Sequence, residues 1–353
     1  MIRTKVTRTL ALAGFVPAGK LGYSYRVLLP VLALCVATAA WSQTAPGFRG
    51  GRVPPNVPRG VQQPKPAPTT PARAQTSAQY RFVSISIPGS TDAFPFGINK
   101  AGAASGWYVD TGNITNGFVW RNGILRTLDN PGFADTELQS VSNRGVAMGF
   151  YGDNNASHAA MYSFASGAWT ALPDIPGMPN NLGWGINSAG VAVGYAGAGD
   201  NGFGYNPTNA TAWIWDPRIQ SYSFFAVPDA AQYSTYADAI NDKGQIVGTF
   251  FDANGVAHGF IKEGETYTSL DVPGAMYTYS YGLNNSGAAV GWFGNLSGWA
   301  EGFVRTSDGV FTVVDFPGAL ETEIGGINER GDICGTWVDP NTGFWTAFVG
   351  IKQ

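Results

Sequence analysis

Six times between residues 97 and 335 the chain repeats one pattern of apolar and polar positions. An aliphatic residue is followed by a short polar turn, a glycine, an apolar stretch and a second glycine. The copies are GINKAGAASG at 97–106, SVSNRGVAMG at 140–149, GINSAGVAVG at 185–194, AINDKGQIVG at 239–248, GLNNSGAAVG at 282–291 and GINERGDICG at 326–335. Each reads as a β-hairpin. The aliphatic residue (Ile98, Val141, Ile186, Ile240, Leu283, Ile327) ends one strand, Asn or Ser142 opens the turn, and glycine stands at the fourth turn position. That is the type I turn preference, in which a short polar side chain bonds back to the turn backbone.

The rest of each repeat predicts two more strands. An apolar stretch such as Gly117–Trp120, Ala212–Trp215 or Gly302–Val304 follows a variable polar loop, and a tight turn such as Arg121–Gly123 leads into a fourth strand. That strand ends at Pro131, Pro176, Pro228, Pro273 or Pro317, where proline lacks the ladder donor. The second glycines recur at intervals of 43, 45, 54, 43 and 44 residues, about the length of a four-stranded propeller blade. The long third interval reads as a loop insertion over 196–209. The segment 80–89 matches the fourth-strand pattern yet precedes the first hairpin, while the last copy stops after its third strand. The pattern therefore predicts an all-β fold, a six-bladed β-propeller over 80–353 closed by an N-terminal strand, with residues 80–87 on the outer edge of the last blade. A β-solenoid is the alternative, but it needs no displaced strand.

With its G-I-N-x-x-G-x-x-V-G stretch in all six copies, the chain resembles the HAF-repeat extracellular proteins of bacteria. Their following His-Ala-Phe stretch is degenerate here: His258-Gly-Phe260 and His158-Ala-Ala160 come nearest. The resemblance covers nearly all of 80–353 and implies an exported repeat protein. It brings no catalytic residues.

Charge divides the chain. Residues 1–79 hold ten of the 21 basic residues and no acid, so residues 80–353 carry a formal net charge of −13. Such a domain repels phosphate backbones, which excludes nucleic acid as a partner of the folded part. Residues 1–42 read as a signal peptide: a basic lead (Arg3, Lys5, Arg8, Lys20, Arg26), an apolar run at 27–36 and small residues at 37–40. Residues 43–79 are Pro-rich and read as a linker. These features place the protein outside the cytoplasm, secreted, periplasmic or at the cell surface, with no transmembrane segment left after cleavage. Cys334 is then the only cysteine, and it occupies the slot of Val193, Val247 and Val290 as a buried small hydrophobe.

The chemistry is sparse. His158 and His258 start third strands at no metal-ligand spacing, so a structural role is expected, with no metal and no cofactor. Loop aspartates Asp110, Asp153, Asp200, Asp252 and Asp339 fit turn chemistry better than calcium loops. The connections into the six hairpins ring one mouth of the expected channel. Threonines recur six residues before the turn (Thr136, Thr235, Thr278, Thr322), as turn-satisfying groups. The carboxylates Asp92, Asp135, Glu137, Asp238, Glu321 and Glu323 are the candidates for catalysis, and Phe94, Trp184, Tyr236, Tyr279 and Tyr281 for ligand binding. Acids and aromatics around a concave mouth suit sugar stacking or glycan hydrolysis. Binding or scaffolding at the envelope, with a glycan or an envelope protein as partner, is favoured over a hydrolase or lyase that uses two mouth carboxylates.

Overall fold

A computed structural model describes residues 73–74, 79–133, 135–153, 156–198 and 210–353. The expected signal peptide, most of the linker and most of the 196–209 insertion lie outside the described residues. Within the linker, Arg73–Ala74 make a short parallel pairing with Thr312 and Val313.

The described residues form strands and turns, with no α-helix. The strands are β1 (Arg73–Ala74) and β2 (Tyr80–Ile85), then β3 (Ser90–Ile98), β4 (Ala104–Asp110), β5 (Thr115–Arg121) and β6 (Ile124–Thr127). The second repeat gives β7 (Asp135–Val141), β8 (Val146–Gly152), β9 (Ser157–Ser163) and β10 (Ala168–Ala171). The third gives β11 (Asn180–Ile186), β12 (Ala192–Gly197), β13 (Thr211–Asp216) and β14 (Ser221–Phe225). The fourth gives β15 (Thr235–Ile240), β16 (Ile246–Phe251), β17 (Ala257–Glu263) and β18 (Thr266–Ser269). The fifth gives β19 (Tyr277–Leu283), β20 (Ala289–Gly294), β21 (Ala300–Arg305) and β22 (Phe311–Val313). The last gives β23 (Thr322–Ile327), β24 (Ile333–Val338) and β25 (Trp345–Lys352).

Consecutive strands of a repeat pair antiparallel as meanders, and the sheets are arranged like the blades of a propeller. Those of the second and third repeats count as one sheet because a single parallel bridge, Asn180 to Ser157, joins them. The last sheet runs β2-β25-β24-β23, with Tyr80 opposite Lys352 and Ile85 opposite Ala347.

The two glycines of the motif have separate causes. The first (Gly102, Gly145, Gly190, Gly244, Gly287, Gly331) adopts φ between 73° and 86°, where a side chain is strained. The second lies over the innermost strand. A Cβ on Gly149 would sit 1.9 Å from the Glu137 carbonyl oxygen, and the other five second glycines meet the equivalent carbonyl at 2.0–2.2 Å. That closeness accompanies a β-bulge in every inner hairpin, where the register skips Phe96, Gln139, Trp184, Asp238, Tyr281 and Gly325 in turn. A bulge re-aims the extra residue.

The turn asparagine does more than close its own turn. In the first copy, Asn99 Oδ1 accepts the N–H groups of Ala101 (3.0 Å) and Ala103 (3.1 Å). Its Nδ2 donates to the next repeat, at Ser142 O (3.4 Å). Asn187 donates likewise to Asn241 O (3.2 Å), Asn241 to Asn284 O (3.0 Å), Asn284 to Asn328 O (3.0 Å) and Asn328 back to Asn99 O (3.1 Å). First and last hairpins therefore touch, as they would not in a linear stack. These turns surround a narrow axial pore of about 70 Å³.

One link is missing. Ser142 has no amide to offer, and Asn187 O accepts only its own turn N–H, from Gly190 (3.1 Å). Ser142 and Asn187 also line a groove of about 340 Å³ between the second and third repeats, so there is room for a longer side chain. The Ser142→Asn variant should complete the relay and gain about 1 kcal/mol, the value of one net hydrogen bond. For a domain this size that is a rise of about 2–4 °C in melting temperature. An unchanged or lower melting temperature by calorimetry would show that the sixth link contributes nothing.

Candidate functional site

Sequence nominated a ring of acids and aromatics where the chain enters each innermost strand. The structure sorts these residues by their distance from the turn asparagine. Seven residues before it, Asp92 Oδ1 accepts Trp345 N–H (3.1 Å) and Asp135 Oδ1 accepts Thr115 N–H (3.2 Å). Glu321 does the same with Ala300 N–H. In all three cases the donor opens the third strand of the neighbouring repeat, so these carboxylates clamp adjacent sheets together. The threonines one position on are also engaged. Thr136, Thr235, Thr278 and Thr322 accept N–H from Asn130, Val227, Val272 and Phe316 at 2.9–3.2 Å. They tie down the connection after each outer strand, as the turn-satisfying role requires.

The remaining acids are buried. Glu137 and Glu323 are 7% and 8% exposed and Asp238 is 3% exposed. Burial, with help from Asp135, pushes the Glu137 pKa up to about 8, against the lowering effect of a bond from Gln139 Nε2 (3.0 Å). Burial and then Glu321 push Glu323 up to about 8. Asp238 is raised well above the usual carboxylate range by burial. Thr249 is its nearest donor and opposes the shift, yet neither carboxylate oxygen makes a well-formed hydrogen bond. At neutral pH Glu137 and Glu323 are held in the acid form.

Four of the five nominated aromatics pack together in one central cluster. Phe96, Trp184 and Tyr281, on the bulges of the first, third and fifth repeats, meet at centroid distances of 5.4, 5.4 and 6.0 Å. Contacts continue through Tyr195, Tyr236, Phe251 and Tyr279 back to Tyr281, each pair within 6.4 Å. Trp184, Tyr236 and Tyr281 are buried and Tyr279 is partly buried in this one cluster. Phe94 is buried against Trp107 and Trp345. Mutual packing thus leaves these rings as a plug and not as open stacking platforms.

Both histidines bridge carboxylates at the start of a third strand. His158 lies between Asp174 (Nδ1, 2.9 Å) and Asp153 (Nε2, 3.5 Å), and His258 between Asp271 (Nδ1, 3.0 Å) and Asp252 (Nε2, 3.8 Å). The bond from Asp271 raises the His258 pKa. The loop aspartates close turns. Asp110 Oδ1 accepts Gly112 N–H (2.7 Å), Asp252 Oδ1 Asn254 N–H (2.8 Å) and Asp339 Oδ1 Asn341 N–H (2.8 Å), while Asp200 lies outside the described residues. Among the described residues no group of three His, Cys, Asp or Glu is placed to hold a metal ion, and no helix is long and apolar enough to cross a membrane. Cys334 is fully buried in a packed cluster.

Sequence reasoning missed one open site. A cleft of about 430 Å³ lies between the fifth and sixth repeats, lined by Asn295, Trp299, Glu301, Asp315, Leu320 and Glu321. Trp299 is 50% exposed and Leu320 49%. The signal was present in the repeat alignment, where Glu301 stands at the position of His158 and His258.

No family model matches this chain, and no curated protein does. Among solved structures, it is similar to a gluconolactonase from Xanthomonas campestris, at 12% identity over 84% of this chain and 99% of that chain, with a TM-score of 0.49. It is also similar to AofleA from Arthrobotrys oligospora, at 12% identity over 82% and 96%, with a TM-score of 0.47. A third is the SapL1 lectin in complex with alpha methyl fucoside, at 12% identity over 70% and 88%, with a TM-score of 0.47.

The buried acids fix a pH dependence. The unfolded chain ionises Glu137 and Glu323 near the ordinary glutamate value of 4.5, whereas the folded state holds their protons to about 8. Folded protein therefore binds more protons in that window, and stability falls as pH rises through it. The raised pKa of His258 acts in the same direction, because its contribution is lost as pH rises through the folded value. Melting temperature should drop between pH 5 and pH 8. The double variant Glu137→Gln, Glu323→Gln should recover much of a loss on the order of a few kcal/mol. An equal drop in the double variant would place the effect elsewhere.

Proposed function

We propose that the chain is an exported repeat protein of the HAF type, a six-bladed propeller closed by β2, which acts as a binding module at the cell envelope with a glycan as its ligand. The pairing of β2 with β25 and the return of the asparagine relay from Asn328 to Asn99 support the closed ring. The HAF reading rests on the six copies of the repeated stretch in the sequence. Export rests on the sequence of residues 1–42.

One observation carries the binding reading. Of nine large apolar side chains exposed among the described residues, six lie on one face: Ile114, Met276, Leu296, Trp299, Leu320 and Phe344. That face carries the loops between second and third strands and the connections into each inner strand. Exposed apolar side chains gathered on one face mark an interaction surface. Its acids provide acceptors for hydroxyl groups, and its net negative charge turns away anionic partners. The clamping and buried roles of the nominated acids favour binding over hydrolysis, because a hydrolytic pair needs one ionised carboxylate open to substrate or water.

The chain beginning at Thr76, screened on a glycan array, should retain at least one carbohydrate class. Retention of none, with an envelope protein bound instead, would overturn the glycan assignment. Closure is tested separately by a chain beginning at Ser90, which lacks β2 and leaves the β25 edge bare. It should aggregate or melt well below the chain beginning at Thr76, and equal melting would refute the displaced-strand ring.

A further inference from the structure

The cleft between the fifth and sixth repeats departs from the repeat frame in a way that packing alone does not require. In the second and fourth repeats, an imidazole at the start of the third strand sits between a loop aspartate and an aspartate after the fourth strand. In the fifth repeat the loop aspartate is Asn295, the imidazole is replaced by Glu301, and the second aspartate remains as Asp315. Where two repeats place a partner for the carboxylates, this one places a further carboxylate. No basic side chain lines the cleft. Such departures from a locally consistent rule collect at functional sites.

The cleft is built to hold its shape. Asn295 Oδ1 accepts the N–H groups of Ser297 (2.9 Å) and Trp299 (3.1 Å), which fixes the loop carrying the indole. Its Nδ2 donates to Glu301 Oε1 (2.8 Å) and sets the carboxylate's orientation. Glu321 is anchored by Ala300 N–H on the opposite wall. Asp315 accepts Gly302 N–H, and its pKa is pushed up to about 6 by its packed surroundings and by Glu301, although one side of the residue stays open to water. Each ionised carboxylate offers about four acceptor sites, so lone pairs remain for a ligand. The volume falls within the usual range for small-molecule sites.

We propose that this cleft is the subsite for one pyranose ring of a glycan, with the ring's C–H face on Trp299 and its hydroxyl groups donating to Glu301 and Asp315. This rests on the glycan reading above and names where that reading acts. An apolar shelf of indole and Leu320 beside a wall of acceptors matches a flat ring that is apolar on its faces and donor-rich at its edge. A divalent cation such as calcium would need six to eight oxygens, more than these side chains bring together.

The test uses saturation-transfer NMR on the full chain, with the methyl pyranosides of glucose, galactose, mannose, fucose and N-acetylglucosamine as probes. At least one should bind, and Trp299→Ala should weaken it by about ten-fold or more. The melting temperature of that variant should stay unchanged, because the indole is half exposed. Glu301→Gln should weaken the same pyranoside while leaving the fold intact. If the array retains a glycan that both variants bind like the parent chain, this subsite is wrong and the glycan reading stands. If the parent chain binds no glycan and no pyranoside, the glycan reading fails and the subsite with it. Binding of N-acetylarginine methyl ester in place of every pyranoside, lost in Trp299→Ala, would overturn the sugar assignment in favour of a cationic peptide side chain.

Discussion

The fold depends on a carboxamide that faces two ways. The turn asparagine accepts two N–H groups of its own hairpin through Oδ1 and donates through Nδ2 to the turn of the next repeat. One side chain thus sets the local turn and the spacing between sheets. Aspartate would lose the donor, and serine can hold only the local half, as Ser142 does when its hydroxyl accepts Val146 N–H (3.1 Å). Further links run beside it, with Ser188 N–H donating to Asp242 Oδ1 and Asp242 N–H to Asn285 Oδ1, each at 2.7 Å. Near the axis, sheets are spaced by directed hydrogen bonds; further out, apolar side chains fill the gaps between them.

The bulge beside that turn decides what the centre contains. By inserting one residue in each inner strand it adds five side chains and Gly325 at the bulges, and the second glycine lets the neighbouring strand lie close over it. Three of the six are large rings that meet in the middle. The centre is therefore a packed core of aromatic residues ringed by neutral acids. Open chemistry is displaced outward to the clefts between sheets.

Much of the architecture was legible because it follows from short-range rules. Turn glycines, alternating strands and the fourth-strand pattern at 80–89 can be read from neighbours in the chain. The Nδ2 bond was not legible, since its acceptor lies 43 or more residues away and becomes visible only once the sheets stand side by side. The acids failed for a related reason. Glu321 and Glu323 are two residues apart and look alike in sequence, yet one clamps a neighbouring backbone and the other is buried in the acid form. Phe94, Trp184 and Tyr236 resemble ligand platforms until other rings occupy the same space. Glu301 could have been found, because it stands at the position where two other repeats carry a histidine between carboxylates.

The pairing of β2 with β25 has a consequence for how such a chain can change length. The sequence repeat and the hydrogen-bonded sheet are out of phase by one strand, so β2 and β25, from opposite ends of the repeat domain, share a sheet. Duplicating one repeat length would add an inner, two middle and an outer strand without touching that joint. The first and last strands of the repeat domain also lie beside one another, Tyr80 against Lys352, so the domain could be rejoined there and opened at another loop while every ladder is kept. Which loop holds the termini is thus an accident of ancestry that the sheets themselves do not dictate.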